Sequence, residues 1–295
     1  MVKMKKDIPK IKFTYSKDSD TKGFNFFSLD IDTSENTLNF KPIINTYHQI
    51  DFFAIIILTE GEVKHTVDFK TIPLKAGDCL IITKGQVHAF DTRSKYKGYL
   101  LLFSEEFLHK HVTQSALGKI PFLYNYNQNQ LVYNNPTNNK TLIGLLQSGL
   151  SNNSKVKANQ VGALLTYYLL DLVDDESPDI ITQNHYQEHF IQFKQLVEQG
   201  YQSTRNAKDY AVLLKISYKH LNEVCKHMAN KTAKALIDEY VILQAKRLLV
   251  TSPNSVKEIS YNLGFGEPTN FRKFFHKHTG FSPNEFLKKM QLVTH

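Results

Sequence analysis

Helix punctuation in the last 110 residues limits what this chain can fold into more than any other feature. Ser255 and Glu258 stand three apart ahead of an apolar run. At that S-x-x-E spacing the hydroxyl and the carboxylate cap each other's backbone N–H groups. Ser282-Pro283-Asn284-Glu285 repeats the device with proline at the first helical position, where a missing N–H costs nothing. Asn206 precedes a third start, with Asp209 in its first turn. Two helix-turn-helix units follow from these boundaries. The first runs Asn206 to Leu214, turns through Lys215-Ile216 and restarts at Ser217 to about Met228, with Ala211, Leu214, Ile216, Leu221, Val224 and Cys225 as its apolar set. The second runs Val256 to Leu263, turns at Gly264-Phe265-Gly266 and restarts with Pro268, around Ile259, Leu263, Phe265, Phe271, Phe274 and Phe275. Between them Ala233 to Val250 reads as one uninterrupted helix. At ~1.5 Å per residue it spans about 27 Å, which sets two reading helices roughly one DNA turn apart.

Charge follows the same division. The net charge is +8 over 295 residues, and Tyr186 to His295 carry 16 Lys and Arg against 9 Asp and Glu, leaving the remaining residues almost neutral at 20 against 19. A local basic excess is the electrostatic footprint of a nucleic-acid-binding domain. The length favours two domains. The run Asp171, Asp174, Asp175, Glu176, Pro178, Asp179 holds a helix breaker and no apolar period, so the boundaries are read as 1–173, a linker at 174–185, and 186–295. The longest apolar run, Phe52 to Leu58, is too short for a membrane-spanning helix. Asp7, Pro9, Lys10 and Lys12 follow the basic start where a signal peptide needs apolar residues, so a cytoplasmic protein without a membrane partner is expected. Cys79 and Cys225, the two cysteines, provide neither a disulfide framework nor a zinc finger.

Ile11 to about Phe103 reads as short β-segments: Phe52 to Leu58, the alternating Val63 to Phe69, Cys79 to Ile82 and Tyr99 to Phe103. This spacing predicts an antiparallel sandwich or barrel. Helical periodicity follows Ser104, interrupted by an Asn/Gln-rich stretch from Tyr124 to Asn139 read as a surface loop. Val161, Leu164, Leu165, Tyr168, Leu169 and Leu172 then form one stripe. The stripe either packs on its own β-domain or forms a dimer seam through Leu165, Tyr168, Leu169 and Leu172.

Ala245-Lys246-Arg247-Leu248-Leu249, Val256 to Phe265, and Phe271-Arg272-Lys273-Phe274-Phe275-His276-Lys277-His278-Thr279-Gly280-Phe281-Ser282-Pro283 together resemble the AraC/XylS family of bacterial transcription regulators. The resemblance covers about residues 190 to 290, with Asn230 where Gly is common, Ser260 where Ala is common, and no Arg in the first half of the joining helix. It implies sequence-specific promoter binding, usually activation, by two helix-turn-helix units. Carried over by position, the base-reading candidates are Lys219, Asn222 and Glu223 in the first unit and Glu267, Thr269, Asn270 and Lys273 in the second. Their chemistry fits, since Asn reads adenine, Lys donates to guanine and Glu accepts from cytosine. Ser217, Tyr218, Lys226, Arg272 and Lys277 are the phosphate candidates. His276 and His278 are read as surface residues.

Gly77 to His88 resembles the second cupin motif with Thr83 in place of proline. The expected fold is therefore two-domain α+β: a cupin-like antiparallel β-barrel with following helices, then an all-α double helix-turn-helix domain. A metal cupin would need a His-x-His-x4-Glu partner motif, which fails at His48, and His65 belongs to a different strand from His88. No metal, cofactor or catalytic residue is expected. Phe52, Ile56, His65, Val67, Ile82 and His88 are the candidate lining of a pocket for a small-molecule effector of unknown identity. The expected partners are double-stranded promoter DNA, a second copy of the chain and RNA polymerase. A metal-dependent cupin enzyme with a DNA-binding tail and a regulator without an effector are the alternatives.

Overall fold

The computed structural model describes residues 10–11, 22–30, 47–90, 94–120, 123, 132–151, 158–173 and 180–293. The chain divides into two compact units, one within Pro9–Asp175 and the other at Glu176–His295. No helix among the described residues is long and apolar enough to cross a membrane.

The first unit is organised by one long strand. Its elements are β1 (Lys10–Ile11), β2 (Phe24–Asp30), β3 (His48–Ile50), β4 (Phe53–Val67), β5 (Lys70–Lys75), β6 (Asp78–Ile82), β7 (Val87–Ala89), β8 (Tyr96–Phe103), α1 (Glu105–His111), α2 (Gln114–Gly118), β9 (Val132–Asn134), α3 (Pro136–Ser151) and α4 (Ala158–Asp171). The first half of β4 pairs antiparallel with β6 and β8, and β2 and β9 extend that sheet on either side. The second half pairs with β5 and β7, and β7 continues through β3 to β1. The register of β4 against β8 slips between Leu58 and Glu60, where the strand passes from one sheet to the other. The expected barrel is corrected here. Among the described residues no pairing closes the strands into a ring, and β1 joins β3 in parallel.

The all-apolar run 52–58 follows from this arrangement, because the first half of β4 is buried on both faces. Phe53, Ile55 and Ile57, with Cys79, Ile81, Leu101 and Phe103, pack beneath helices α1 to α4. Ala54, Ile56 and Leu58, with Leu80, Ile82, Leu100 and Leu102, face Val63, Val67 and Leu74 of the other sheet. Leu165, Tyr168, Leu169 and Leu172 belong to the first of these cores and are each at most 7% exposed. Their assignment to a dimer seam is therefore corrected: these four side chains are covered within their own unit. The Asn/Gln-rich stretch is also more ordered than a loop at its C-terminal end. Val132–Asn134 pairs with β6 and Pro136 starts α3, while 124–131 lie outside the described residues.

The second unit contains α5 (Ile180–Gly200), α6 (Ala207–Leu213), α7 (Tyr218–Ala229), α8 (Ala233–Thr251), α9 (Val256–Asn262), α10 (Pro268–Thr279) and α11 (Pro283–Val293). Residues 180–185 of the expected linker are helical, the first turns of α5; residues 174–179 lie outside the described residues. Leu236, Ile237, Val241, Ala245 and Leu249 of α8 are buried, so the joining helix is the centre of this core rather than a free spacer.

Candidate nucleic-acid interface

Most helices of this unit begin on a side chain that accepts from the first turn, whereas α10 starts on Pro268 and its N-cap residue Glu267 makes no such bond. Asn206 accepts from the Lys208 N–H, Ser217 from His220, and Thr232 from Ala235. Ser255 and Glu258 form the reciprocal capping box, and Ser282 and Glu285 exchange the same pair of bonds at 3.3 and 2.7 Å. Each such cap contributes about 1 kcal/mol. The hydrogen bonds also hold the exposed Glu258 and Glu285 carboxyls below the usual glutamate range. The two turns have the same backbone. Lys215 (φ 57°) and Gly264 (φ 77°) occupy the left-handed region, and the next N–H, of Ile216 or Phe265, donates five residues back to Ala211 or Ser260 at 3.0 Å. The reading helices also close alike, on Asn230 at φ 51° and Gly280 at φ 74°.

Gly264 has a second reason to lack a side chain. A Cβ there would fall 1.9 Å from the Gln202 carbonyl oxygen. The close approach lets Arg205 donate from Nη2 to the Gly264 carbonyl at 2.9 Å and lay its guanidinium 3.7 Å from the Phe265 ring centre. The segment before the first unit is thereby fastened to the turn of the second. A groove of about 620 Å³ opens at this junction, lined by Arg205, Lys208, Lys234, Tyr218 and Phe274 among others. Sequence reasoning missed Arg205 and Lys208, although the glycine in the turn was the available signal for a tight junction.

Most of the candidate reading residues are solvent-facing. Lys219, Glu223 and Lys226 on α7, and Glu267, Thr269, Asn270, Arg272, Lys273 and Lys277 around α10, are exposed. So are Ser217, whose hydroxyl oxygen is engaged as the α7 cap, and Tyr218. Glu223 is not isolated: Lys219 Nζ is 3.9 Å and His220 Nδ1 3.7 Å from its carboxylate. Asn222 is the correction. It is half-buried, its Oδ1 accepts the Ala233 N–H at 3.1 Å and its Nδ2 donates to the Tyr218 carbonyl at 3.1 Å. Both polar atoms are thus engaged inside the protein, joining the first reading helix to the start of α8 instead of facing a base.

The effector candidates converge within the first unit. Phe52, Ile56, Val67 and Ile82 lie in the layer between the two sheets, and His65 and His88 are buried beside it. The strand difference counted against a shared histidine site disappears on folding. His65 Nε2 is 3.1 Å from His88 Nδ1, and the His48 ring centre is 4.0 Å from that of His88. Phe90 stands 5.1 Å from His65 and 5.4 Å from His88. Burial, then the neighbouring His48, pulls His65 down to about 3. Burial, then His48 and His65, holds His88 well below the usual range, so these imidazoles are neutral at pH 7. The result is a group of ring nitrogens in an otherwise apolar layer.

Both halves match family models. Residues 44–129 match the AraC-like ligand binding domain, and residues 210–289 match a helix-turn-helix domain. The chain is 24% identical over 277 residues to the Msm operon regulatory protein of Streptococcus mutans, covering 90% of this chain and 95% of that one. It is 28% identical over 94 residues to the raffinose operon transcriptional regulatory protein RafR of Pediococcus pentosaceus, covering 32% and 34%. Among solved structures, fatty-acid-bound ToxT of Vibrio cholerae is similar at 17% identity and a TM-score of 0.43, over 90% of this chain and 95% of that one.

Proposed function

The chain belongs to the AraC family of transcription regulators, with a ligand-binding domain ahead of its helix-turn-helix domain, and from that premise we propose how it reads a promoter and what controls it. Helices α7 and α10 enter successive major grooves, with Lys219 and Glu223 on one and Glu267, Thr269, Asn270 and Lys273 on the other facing base edges. Ser217, Tyr218, Lys226, Arg272 and Lys277 hold phosphates, and Arg205, Lys208 and Lys234 add positive charge along the groove between the units. The observation that carries this reading is the pairing of two identically built turns, at Lys215-Ile216 and Gly264-Phe265, each followed by a helix with a polar outer face, α7 started by the Ser217 cap and α10 by Pro268.

The effector is a small molecule with an apolar body and a hydrogen-bonding group, taken between the sheets where His65 and His88 supply that group's partners. Its preference for one arrangement of the chain over another sets promoter occupancy. The protein acts in the cytoplasm as an activator and not as an enzyme, pairs with a second copy, and contacts RNA polymerase. The domain limits 1–173 and 186–295 are part of the same reading.

Selection of bound duplexes from a random library by the full chain tests the DNA half. Enriched sites should carry two short blocks about one helical turn apart, and binding should fall steeply with added salt. A chain that is folded by circular dichroism yet enriches nothing at low salt overturns the reading.

A further inference from the structure

His185 and His189 lie one turn apart on α5, and His220 is the third residue of the first reading helix α7. One ring nitrogen from each lies within 4.8 Å of the other two. The ring centres of His185 and His189 are 4.2 Å apart, and those of His189 and His220 5.4 Å. His189 Nδ1 is buried and has no hydrogen-bond partner among the described residues. A buried ring nitrogen without a partner is uncommon, because it forfeits the hydrogen bond that water gave it.

We propose that His185, His189 and His220 bind a divalent transition-metal ion of the zinc class, fastening α5 to the first reading helix. Imidazole nitrogens are the ligands such ions take. Two histidines at i and i+4 share one helix face, a spacing that recurs in zinc sites. A tetrahedral ion with bonds of about 2.0–2.1 Å holds its ligand nitrogens about 3.4 Å apart, so small ring rotations close the present cluster. Glu223, with its carboxylate 3.7 Å from His220 Nδ1, stands where it can orient that ring or occupy the fourth position itself. The i, i+4 pair His185 and His189 was a local signal that sequence reasoning passed over, and His220 joins it only through the packing of α5 on α7. Metal binding does not depend on the DNA-reading assignment. Its consequence for DNA does, because a Glu223 held by the metal is withdrawn from base edges.

The full-length protein, stripped with a chelator, is titrated with Co²⁺ alone. The visible absorption of low-coordinate cobalt should saturate at one equivalent and be bleached by Zn²⁺. His189→Gln and His220→Gln should each weaken binding by at least about 100-fold, beyond the about 10–100-fold cost of losing an outer-shell partner. His276→Gln, on the exposed face of α10, should bind as the parent does. Circular dichroism checks that each variant folds, and the parent's melting temperature should rise with Zn²⁺ while that of His220→Gln should not. If His220→Gln does not fold, the outermost ligand, His185, takes its place as His185→Gln. No absorption band in the parent, or a band and a Zn²⁺-induced melting rise that survive the variants, overturns the proposal.

Discussion

Asn222 Oδ1 accepts a hydrogen bond from the Ala233 N–H at 3.1 Å, so a side chain of the first reading helix caps the helix that joins the two units. The position resembles a base reader, but its amide is committed within the protein on both sides. Asn222→Ala should lower stability by about 1–2 kcal/mol through the lost cap and the unsatisfied N–H. It should weaken matched and scrambled DNA alike. Asn222→Asp, which keeps the acceptor, should recover most of the stability. Urea denaturation and binding to the two duplexes measure both effects. A loss confined to the matched duplex would return Asn222 to the reading set.

Lys273→Ala, at an exposed position of α10, should weaken the matched site by about 1–3 kcal/mol and leave scrambled DNA nearly unchanged. Lys277→Ala should weaken both alike and reduce the salt slope by about 1. Fluorescence anisotropy across a salt series distinguishes them. Identical profiles would reject the division into base and phosphate contacts.

Gly264→Ala places a methyl group against the Gln202 carbonyl at a left-handed φ. The cost should reach at least about 1–3 kcal/mol. Lys215→Gly relaxes the matching left-handed residue of the first turn and should be neutral or stabilising. Chemical denaturation of the two variants decides. A Gly264→Ala protein as stable as the parent would show that the junction yields.

Leu169→Ala should destabilise the first unit by about 2–5 kcal/mol, because Leu169 is fully enclosed in the core under β4. Tyr167→Ala, on the outer face of α4 at 59% exposure, should change stability by less than about 0.5 kcal/mol. Light scattering beside thermal melting separates core from seam. A stable, well-folded monomer from Leu169→Ala would restore the stripe as an interface.

Stability should decline in acid through the buried histidines. His65 titrates near 6.5 unfolded and about 3 folded, and His88 is lowered as well. Below pH 6.5 the unfolded chain therefore takes up protons that the folded chain refuses. Stabilisation by the neutral rings is complete above pH 6.5 and is lost as the pH falls toward 3, at up to about 1.4 kcal/mol per pH unit for each group. His88→Gln should flatten the fall between pH 6.5 and 5. Denaturant titrations at several pH values test this, and an unchanged slope would show that His88 titrates normally.

Sequence alone determined the helical half almost completely. Caps, turns and apolar periods act over three to five residues, so Ser217, Ser255, Gly264 and Pro268 mark the helix ends without reference to anything distant. Asn230, which stands where Gly is common, takes the left-handed conformation that closes α7. Three things needed the tertiary structure. The two sheets share β4, whose continuous apolar run is equally compatible with a barrel, a sandwich or a sheet beneath helices. The stripe on α4 has one periodicity for packing inward or outward, and only the presence of Phe53, Ile55 and Ile57 beneath it decided for the core. His65 with His88, Asn222 with Ala233, and the three histidines of α5 and α7 meet across chain separations that no local pattern records. Local hydrogen bonding is written in residue order, whereas which distant side chains share a site is set only when the apolar faces have closed.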